Sequence, residues 1–405
     1  MNQSIGSNRS LGSIIGLGTS VPGQSVDQDD ALAMSSDIIC EDERQRRLMR
    51  MLFRKSGVSS RRTVIPWKTA YFWNRQRSPQ GRGPGTGDRM SLYERYAPQL
   101  ATEACRQAMA MDPSAVRHTV MKERLEQYDP LGSDNDVESD GFGPLSQPVP
   151  VDPSSVTHLV TVSCTGFAAP GLDWHLFDAL GLSPSVQRVQ VGFMGCHGAI
   201  NGMRTARGLA AADPDAVVLL CAVELCSLHY RMSWENEAMV GNALFADGSA
   251  AAVVVGANRV ADFPEAIPII DSASIRIPDS DDQMSWRIGD HGFDMTLTGQ
   301  VPVSIEGHLQ AWLSDWLRPH GLSPSDIGDW IVHPGGPRIL DATEAALGLK
   351  PCDLQRSRDV LSELGNMSSP TVLFVLQRSL KAGRSGPRVV LAFGPGLVAE
   401  ATLLG

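Results

Sequence analysis

Apolar and polar positions along the chain fall into a repeating order of short apolar runs and helical stripes. "VTHLVTVSC" (156–164) is a continuous apolar run suited to a buried strand. "GLDWHLFDALGL" (171–182) has a helical period, and "VQRVQVGF" (186–193) reads as the next strand. A second helix opens near Cys196, with Ile200, Met203 and Leu209 alternating with Arg204 and Arg207, and "DAVVLLCAVE" (215–224) follows as a third strand. The order is β-α-β-α-β.

The C-terminal part repeats this plan. "DWIVHPGG" (329–336) is a strand into a turn, "PRILDATEAALGL" (337–349) a helix, "LGNMSSPTVLFVLQRSL" (364–380) a turn into a helix, and "PRVVLAFGPG" (387–396) a strand into a glycine turn. Residues 1–260 and 261–405 therefore read as two halves built alike. Upstream, "SIIGLGTSVPG" (13–23) is a strand into a turn, and residues 91–111 form a helix. "QGRGPGTGD" (80–88) fits neither a P-loop nor a dinucleotide fingerprint and reads as a flexible loop. Residues 123–153, acidic and rich in Gly, Pro and Ser, read as a surface insertion within the first half.

The duplication brings chemistry with it. His333 ends the strand that corresponds to the one ended by Cys164, and Asn366 precedes a helix where Cys196 opens one. A pseudo-twofold axis relating the halves would bring Cys196, His333 and Asn366 to one crevice at the strand ends. There the helix N-terminus and an imidazolium would lower the Cys196 pKa. Gly195 and Gly198 would leave room for a substrate carbonyl near the Cys196 amide. Cys196 could carry an acyl group as a thioester. His333 and Asn366 could stabilise the enolate left when a malonyl thioester loses carbon dioxide. His197 is a rival partner for Cys196, ranked second because adjacent side chains at a helix start do not face each other.

Composition narrows the setting. A chain of 405 residues with 42% hydrophobic and 20% charged residues has material for a large core. Seven scattered cysteines with no CxxC pair give neither a disulfide scaffold nor a zinc site and point to the cytoplasm. Cys221 and Cys226 read as core packing or pocket lining. No run is long enough to span a bilayer, and a net charge of −10 argues against nonspecific nucleic-acid binding. Residues 43–62, "ERQRRLMRMLFRKSGVSSRR", form a local basic patch with Leu48, Met51 and Leu52 at helical spacing. It is either a solvated helix face or an anion site.

"GFMGCHGAINGMRTARGLA", "WIVHPGGPRILD", "LSELGNMSSPTVLFVL" and "LAFGPGL" together resemble the type III polyketide synthases, the chalcone and stilbene synthase-like branch of the thiolase superfamily. A Cys-His-Asn set alone would also fit ketoacyl-ACP synthase III, but "GNMSS" and "FGPGL" are specific to the former. The resemblance implies an α/β, five-layered αβαβα thiolase-like fold, a homodimer, and acyl-CoA and malonyl-CoA as substrates, with neither cofactor nor metal. It implies Cys196 as nucleophile, His333 and Asn366 as the decarboxylation pair, and Phe245 in "NALFADGSA" as a gatekeeper. Met295 takes the second gatekeeper position. Cys164, His229, Trp286 and Ser368 fall at pocket positions, and Thr165, Ala169 and Cys226 at positions lining an acyl tunnel in bacterial members. Lys55, with Arg50 and Arg54, falls where the family contacts CoA phosphates.

The expected activity is iterative decarboxylative condensation of malonyl-CoA onto a long-chain fatty acyl starter, closing to an alkylpyrone or alkylresorcinol. A synthase using malonyl-CoA alone or an aromatic starter is the alternative. A non-catalytic acyl-CoA-binding protein of the same fold is the alternative of another class.

Overall fold

The computed structural model describes residues 11–65, 83–112, 137–138, 149–235 and 238–405. The first half runs β1 (Ser13–Pro22), β2 (Ser25–Asp27), α1 (Gln28–Ile39), α2 (Glu43–Arg54), β3 (Ser60–Arg62), α3 (Thr86–Ala108) and β4 (Val137–Glu138). It continues through β5 (His158–Ser163), α4 (Leu172–Leu180), β6 (Gln187–Gly192), α5 (Gly198–Ala212), β7 (Val217–Leu225), α6 (Ala238–Leu244) and β8 (Asp247–Val255). The second half comprises β9 (Ile267–Arg276), β10 (Met284–Gly289), β11 (Gly292–Leu297), α7 (Val301–Leu317) and β12 (Asp329–Val332). It closes with α8 (Pro337–Leu347), α9 (Gln355–Leu364), α10 (Thr371–Lys381), β13 (Arg388–Gly394) and β14 (Val398–Leu404).

The large sheet has the order β12-β13-β14-β9-β1-β8-β7-β5-β6, and its two ends match pair by pair. β5 lies parallel to β7, as β12 does to β13. The β7–β8 and β8–β1 pairs are antiparallel, as are β13–β14 and β14–β9. β1 and β9 meet over only Ser13–Ile14 and Ile267–Pro268. β5 therefore corresponds to β12, the equivalence on which the convergence of Cys196, His333 and Asn366 depends.

Side-chain alternation along these strands explains the layers, because successive residues point to opposite faces. On β7, Val217, Leu219, Cys221, Val223 and Leu225 pack with α3 and α4, while Val218, Leu220 and Ala222 face a central layer. On β13, Val389, Leu391 and Phe393 pack with α7 and α8, while Val390 and Ala392 face the same central layer. That layer is α5 and α10, which bury Ala199, Ile200 and Met203 and Val372, Leu373 and Phe374 between the two sheet halves. Helix, sheet, helix, sheet, helix is the αβαβα order. Each Val or Leu so buried contributes roughly 1.5–3 kcal/mol, and Cys221 joins them, fully buried.

Three local expectations change. α3 begins at Thr86 rather than near 91, so the end of the glycine-rich segment is helical and its Arg89 is buried, donating to the carbonyls of Pro84 and Tyr230. α2 buries Met49 and Phe53, not the Leu48–Met51–Leu52 stripe; Met51 is 44% exposed. The strand over 187–192 is an edge with Gln187, Arg188, Val189 and Gln190 exposed. Most of the 123–153 stretch and residues 80–82 lie outside the described residues. Among the described residues, no helix is long and apolar enough to cross a membrane.

Candidate active site

Between β6 and α5 the chain turns sharply. Phe193 (φ +61°) and Gly195 (φ +77°) both take the left-handed conformation, uncommon for a phenylalanine and held by its edge contact with the Phe293 ring at 5.6 Å. A Cβ at position 195 would stand 2.3 Å from Pro395 Cδ, and one at 198 would stand 2.9 Å from Val162 Cγ1. The turn and close packing already require these glycines.

Ser368 ties the two halves together at the thiol. Its Oγ donates to Cys196 Sγ at 3.4 Å, and its N–H donates to Asn366 Oδ1 at 2.8 Å. With Oδ1 engaged, the Asn366 amide is fixed in one orientation and Nδ2 is left presented, with only a 3.5 Å contact to Gly335 O. The Gly335 N–H donates to His333 O at 3.0 Å, so one residue, Gly335, links Asn366 to the His333 backbone. His333 is 1% exposed, and neither ring nitrogen has a hydrogen-bond partner. Buried polar atoms are almost always paired, so two orphans on one ring beside a presented amide mark a place where a water or a ligand supplies the partner.

The electrostatics depart from expectation. Burial pushes the Cys196 thiol up to about 11, with the Ser368 hydrogen bond opposing. Burial, and secondly the nearby His197, push His333 down to about 3. Burial thus favours neutral thiol and neutral imidazole at rest over thiolate and imidazolium. A neutral imidazole can accept the thiol proton when an acyl donor arrives, and can donate one N–H to an oxyanion. Alkylation of Cys196 by iodoacetamide should accordingly rise about tenfold per pH unit between pH 7 and 9.5, followed by peptide mass spectrometry. A plateau near neutral pH would show a preformed thiolate instead.

His197 does not pair with Cys196. Its Nδ1 lies 2.7 Å from Asn201 Oδ1, Asn201 Nδ2 donates to Glu400 at 3.0 Å, and the ring packs on Gly394. This chain couples α5 to β14 across the halves.

Beneath the thiol lies Glu224, fully buried at the end of β7. It accepts from Cys164 N–H (2.9 Å), Thr165 Oγ1 (2.6 Å), Ser163 Oγ (3.2 Å) and Ser369 Oγ (2.6 Å). Burial raises its pKa and these donors oppose the rise. Sequence reasoning missed Glu224 and Ser369. The only local signal was a carboxylate ending an otherwise apolar strand. Cys164 Sγ also lies 3.4 Å from Ser368 Oγ, so one hydroxyl touches both thiols.

Two compartments lie near this site, the outer one reaching it at Gly335; Cys196, His333 and Asn366 line neither. The outer one, about 390 Å³, is lined by Met51, Leu52, Lys55, Leu244, Leu297, Gly335 and Arg338. The inner one, about 50 Å³, is lined by Cys226, His229, Phe245, Trp286, Phe293 and Met295. Phe245 stands between them: its neighbours Ala243 and Leu244 line the outer space, and its own backbone bridges to Asn366. Phe245 and Met295 both pack onto Gly241, where a Cβ would stand 3.3 and 3.1 Å from them.

Trp286 and Met295 are cross-strand partners on the β10–β11 hairpin, which projects both inward. Trp286 Nε1 donates to Cys164 O at 2.7 Å, and its ring meets His229 edge-on at 5.5 Å. His229 donates from Nε2 to Thr165 O, accepts the Phe293 N–H at Nδ1, and stacks on the Phe293 ring at 4.0 Å. Burial holds it neutral, with a pKa of about 3.

Of the expected pocket residues, Ala169 is not brought in: it lies exposed on the loop after β5. Thr165 is buried, its hydroxyl held by Glu224. Of the expected CoA contacts, Lys55 lines the outer compartment, whereas Arg50 and Arg54 are exposed on α2 and do not.

A reactive thiol, a donor pair and a two-part cavity between duplicated halves define a condensing acyltransferase of thiolase-like fold. The profile of the chalcone and stilbene synthases, N-terminal domain, matches residues 146–259, and that of their C-terminal domain matches residues 269–405. The chain belongs to this family and is a type III polyketide synthase. It is 29% identical over 396 residues to the alpha-pyrone synthesis polyketide synthase-like protein Pks18 of Mycobacterium tuberculosis, covering 96% of this chain and 90% of that one. It is 35% identical over 263 residues, 62% of this chain, to polyketide synthase 37 of Dictyostelium discoideum, of which the match spans 9%. Among solved structures, PKS-I of the brown alga Ectocarpus siliculosus superimposes with a TM-score of 0.81 at 28% identity over 97% of both chains. The C-terminal type III polyketide synthase domain of Steely1, from Dictyostelium, gives 0.78 at 26% identity over 97% of this chain and 98% of that domain.

Proposed function

We propose that the protein loads an acyl starter from CoA onto Cys196, extends it with malonyl-CoA and releases an alkylpyrone, the starter being a long-chain fatty acyl group. The observation that carries the catalytic part is the orphaned His333 ring, linked through Gly335 to an Asn366 amide that Ser368 fixes and ties to Cys196.

The steps balance without a further reactant. Cys196 sulfur attacks the acyl-CoA carbonyl, CoA thiol leaves, and His333 takes up and returns the proton. Malonyl-CoA in the outer compartment loses carbon dioxide, and the C–C electron pair becomes the enolate of acetyl-CoA, whose oxygen receives hydrogen bonds from His333 and Asn366 Nδ2. The enolate carbon attacks the Cys196 thioester and expels the thiolate. The lengthened CoA ester then reloads, and after two extensions an enol oxygen closes on the thioester carbonyl, breaking the C–S bond and releasing the thiol, which takes the enol proton.

The fatty starter is supported by the small side chain of Cys226 in the inner compartment's wall and by similarity to a protein named for alpha-pyrone synthesis. A second reading, malonyl-CoA alone or another short starter, is favoured by the modest inner space behind Trp286 and Phe293. Incubation with malonyl-CoA and a panel of acyl-CoAs, with products read by mass spectrometry, tests both. Cys226→Phe should abolish turnover of long starters and spare short ones, with circular dichroism excluding misfolding, since overpacking costs about 1–3 kcal/mol. Unchanged use of long starters would remove the tunnel from that wall. We place the enzyme in the cytoplasm, where CoA thioesters are available. We further propose a homodimer through the exposed edge β6, whose unpaired backbone groups can accept a second copy.

A further inference from the structure

α2 is richer in charge than a nucleotide site requires. At about 100° per residue, Arg44, Arg47 and Arg54 and the helix-capping Lys55 all fall within about 60° of Met51. Met49 and Phe53 lie on the opposite, buried side. Met51 is 44% exposed at the centre of this basic face and is at the same time part of the wall of the outer compartment. Among the described residues, Arg44, Arg54 and Lys55 form no ion pair, and Arg47 makes one loose, exposed contact with Glu43 at 3.7 Å. The chain as a whole carries −10, so this face is a positive island on an acidic protein.

Position separates the cations by role. Lys55 and Arg338 border the compartment and suit the diphosphate of a CoA whose pantetheine arm fills it. Arg44 lies seven residues before Met51, about 10 Å farther along the helix at 1.5 Å per residue. Beyond its diphosphate CoA carries one further phosphate, on the ribose 3′ oxygen, which one cation satisfies and the row of Arg44, Arg47 and Arg54 exceeds. A carrier that is itself a macromolecule engages the whole row.

We propose that this face of α2 docks an acidic acyl carrier protein, which hands its phosphopantetheine-linked acyl group through the outer compartment to Cys196. The partner would present carboxylates to Arg44 and Arg47 and an apolar pocket to Met51, while its arm enters past Lys55. An anionic membrane would need a broader apolar face than one methionine offers. The transfer is a thioester exchange: Cys196 sulfur displaces the phosphopantetheine thiol, and no other reactant is consumed. The proposal rests on Cys196 being the acyl acceptor.

The test compares decanoyl-CoA with a decanoyl-loaded bacterial fatty-acid acyl carrier protein as starter donor, using the full chain and its double variant Arg44→Glu, Arg47→Glu. Binding of the carrier is read separately by fluorescence anisotropy, which does not depend on turnover. The expected result is a loss of at least tenfold in carrier binding and in kcat/KM with the carrier, with kcat/KM for decanoyl-CoA within twofold. Raising salt should weaken the wild-type carrier reaction and leave the variant's little changed. Equal carrier rates for wild type and variant overturn the docking face. Equal losses on both donors overturn it too, making the stripe part of the CoA site or the fold. Wild-type sedimentation with phosphatidylglycerol vesicles, lost in the variant, together with carrier binding that the variant does not change, would assign the face to a lipid surface. Inactivity with both donors defeats the Cys196 reading, whereas activity on decanoyl-CoA without carrier binding defeats this proposal alone.

Discussion

Cys196→Ala is expected to leave no polyketide product and no acyl adduct on the protein, while the enzyme continues to release carbon dioxide from malonyl-CoA. The separation follows from how the site is built. The sulfur is needed only to hold the acyl group, whereas the groups that would stabilise the enolate, His333 and Asn366, come from the other half of the chain. Ser368 loses its 3.4 Å contact with the sulfur in this variant but keeps its 2.8 Å backbone bond to Asn366 Oδ1, so the amide stays aimed. Intact-protein mass spectrometry after incubation with an acyl-CoA reads the adduct, and acetyl-CoA formed from malonyl-CoA reads decarboxylation. Persistence of an adduct would put the acyl group on another thiol. Cys164, across the same Ser368 hydroxyl, is the first candidate. Loss of decarboxylation together with condensation would mean that the thiol itself takes part in cleaving the carboxylate.

How much of this was legible in the sequence depended on which contacts were local. β5, β7, β12 and β13 are buried on both faces and therefore read as continuous apolar runs, so the duplication and the meeting of Cys196, His333 and Asn366 could be inferred from order alone. The β10–β11 hairpin left no such trace. Its strands are laced with polar residues and only half buried, and its Asp290-His291 turn lacks the Asn-Gly type of signal that marks a tight hairpin. Trp286 and Met295 were found through family resemblance, without the hairpin that makes them neighbours. Glu224 escaped because its donors at Ser163, Cys164, Thr165 and Ser369 lie 59 to 145 residues away, and their convergence is a property of the packed sheet. The resting state of Cys196 was misjudged for a related reason. Spacing reveals a helix terminus beside the thiol, but not the burial that opposes it. Ala169 has small size in common with the tunnel residues yet lies on an exposed loop, which composition does not distinguish.

Asn366→Ala is expected to produce the opposite split from Cys196→Ala, and His333→Ala to lose both steps at neutral pH. Starter loading should persist in Asn366→Ala, with the adduct still visible, while decarboxylation of malonyl-CoA falls about 10²–10³-fold for either variant, the usual cost of removing one donor to an oxyanion. The double variant should be little worse than either single one, because the two donors would hold one oxygen and the remaining member no longer fixes its position. His333→Gln, which returns an N–H donor, should recover part of the loss; Asn366→Asp should not, since it replaces the presented amide with a carboxylate facing a developing negative charge. The pH profile supplies an independent readout. With His333 held down to about 3, the ring is neutral throughout pH 5 to 8 and gains a proton only well below that range. Decarboxylation by Cys196→Ala, followed as acetyl-CoA, should therefore be flat across those values. A midpoint near 6.5 would mean that the imidazole sits in a water-like environment and titrates as a free histidine does. Loss of the acyl adduct in His333→Ala at neutral pH, restored by raising the pH toward the thiol's own ionisation, would show that His333 also carries the proton away from Cys196 during loading. That outcome follows from a buried thiol with a pKa of about 11: unaided, it loses its proton too rarely at neutral pH to be acylated at a useful rate, and the imidazole is the base at hand.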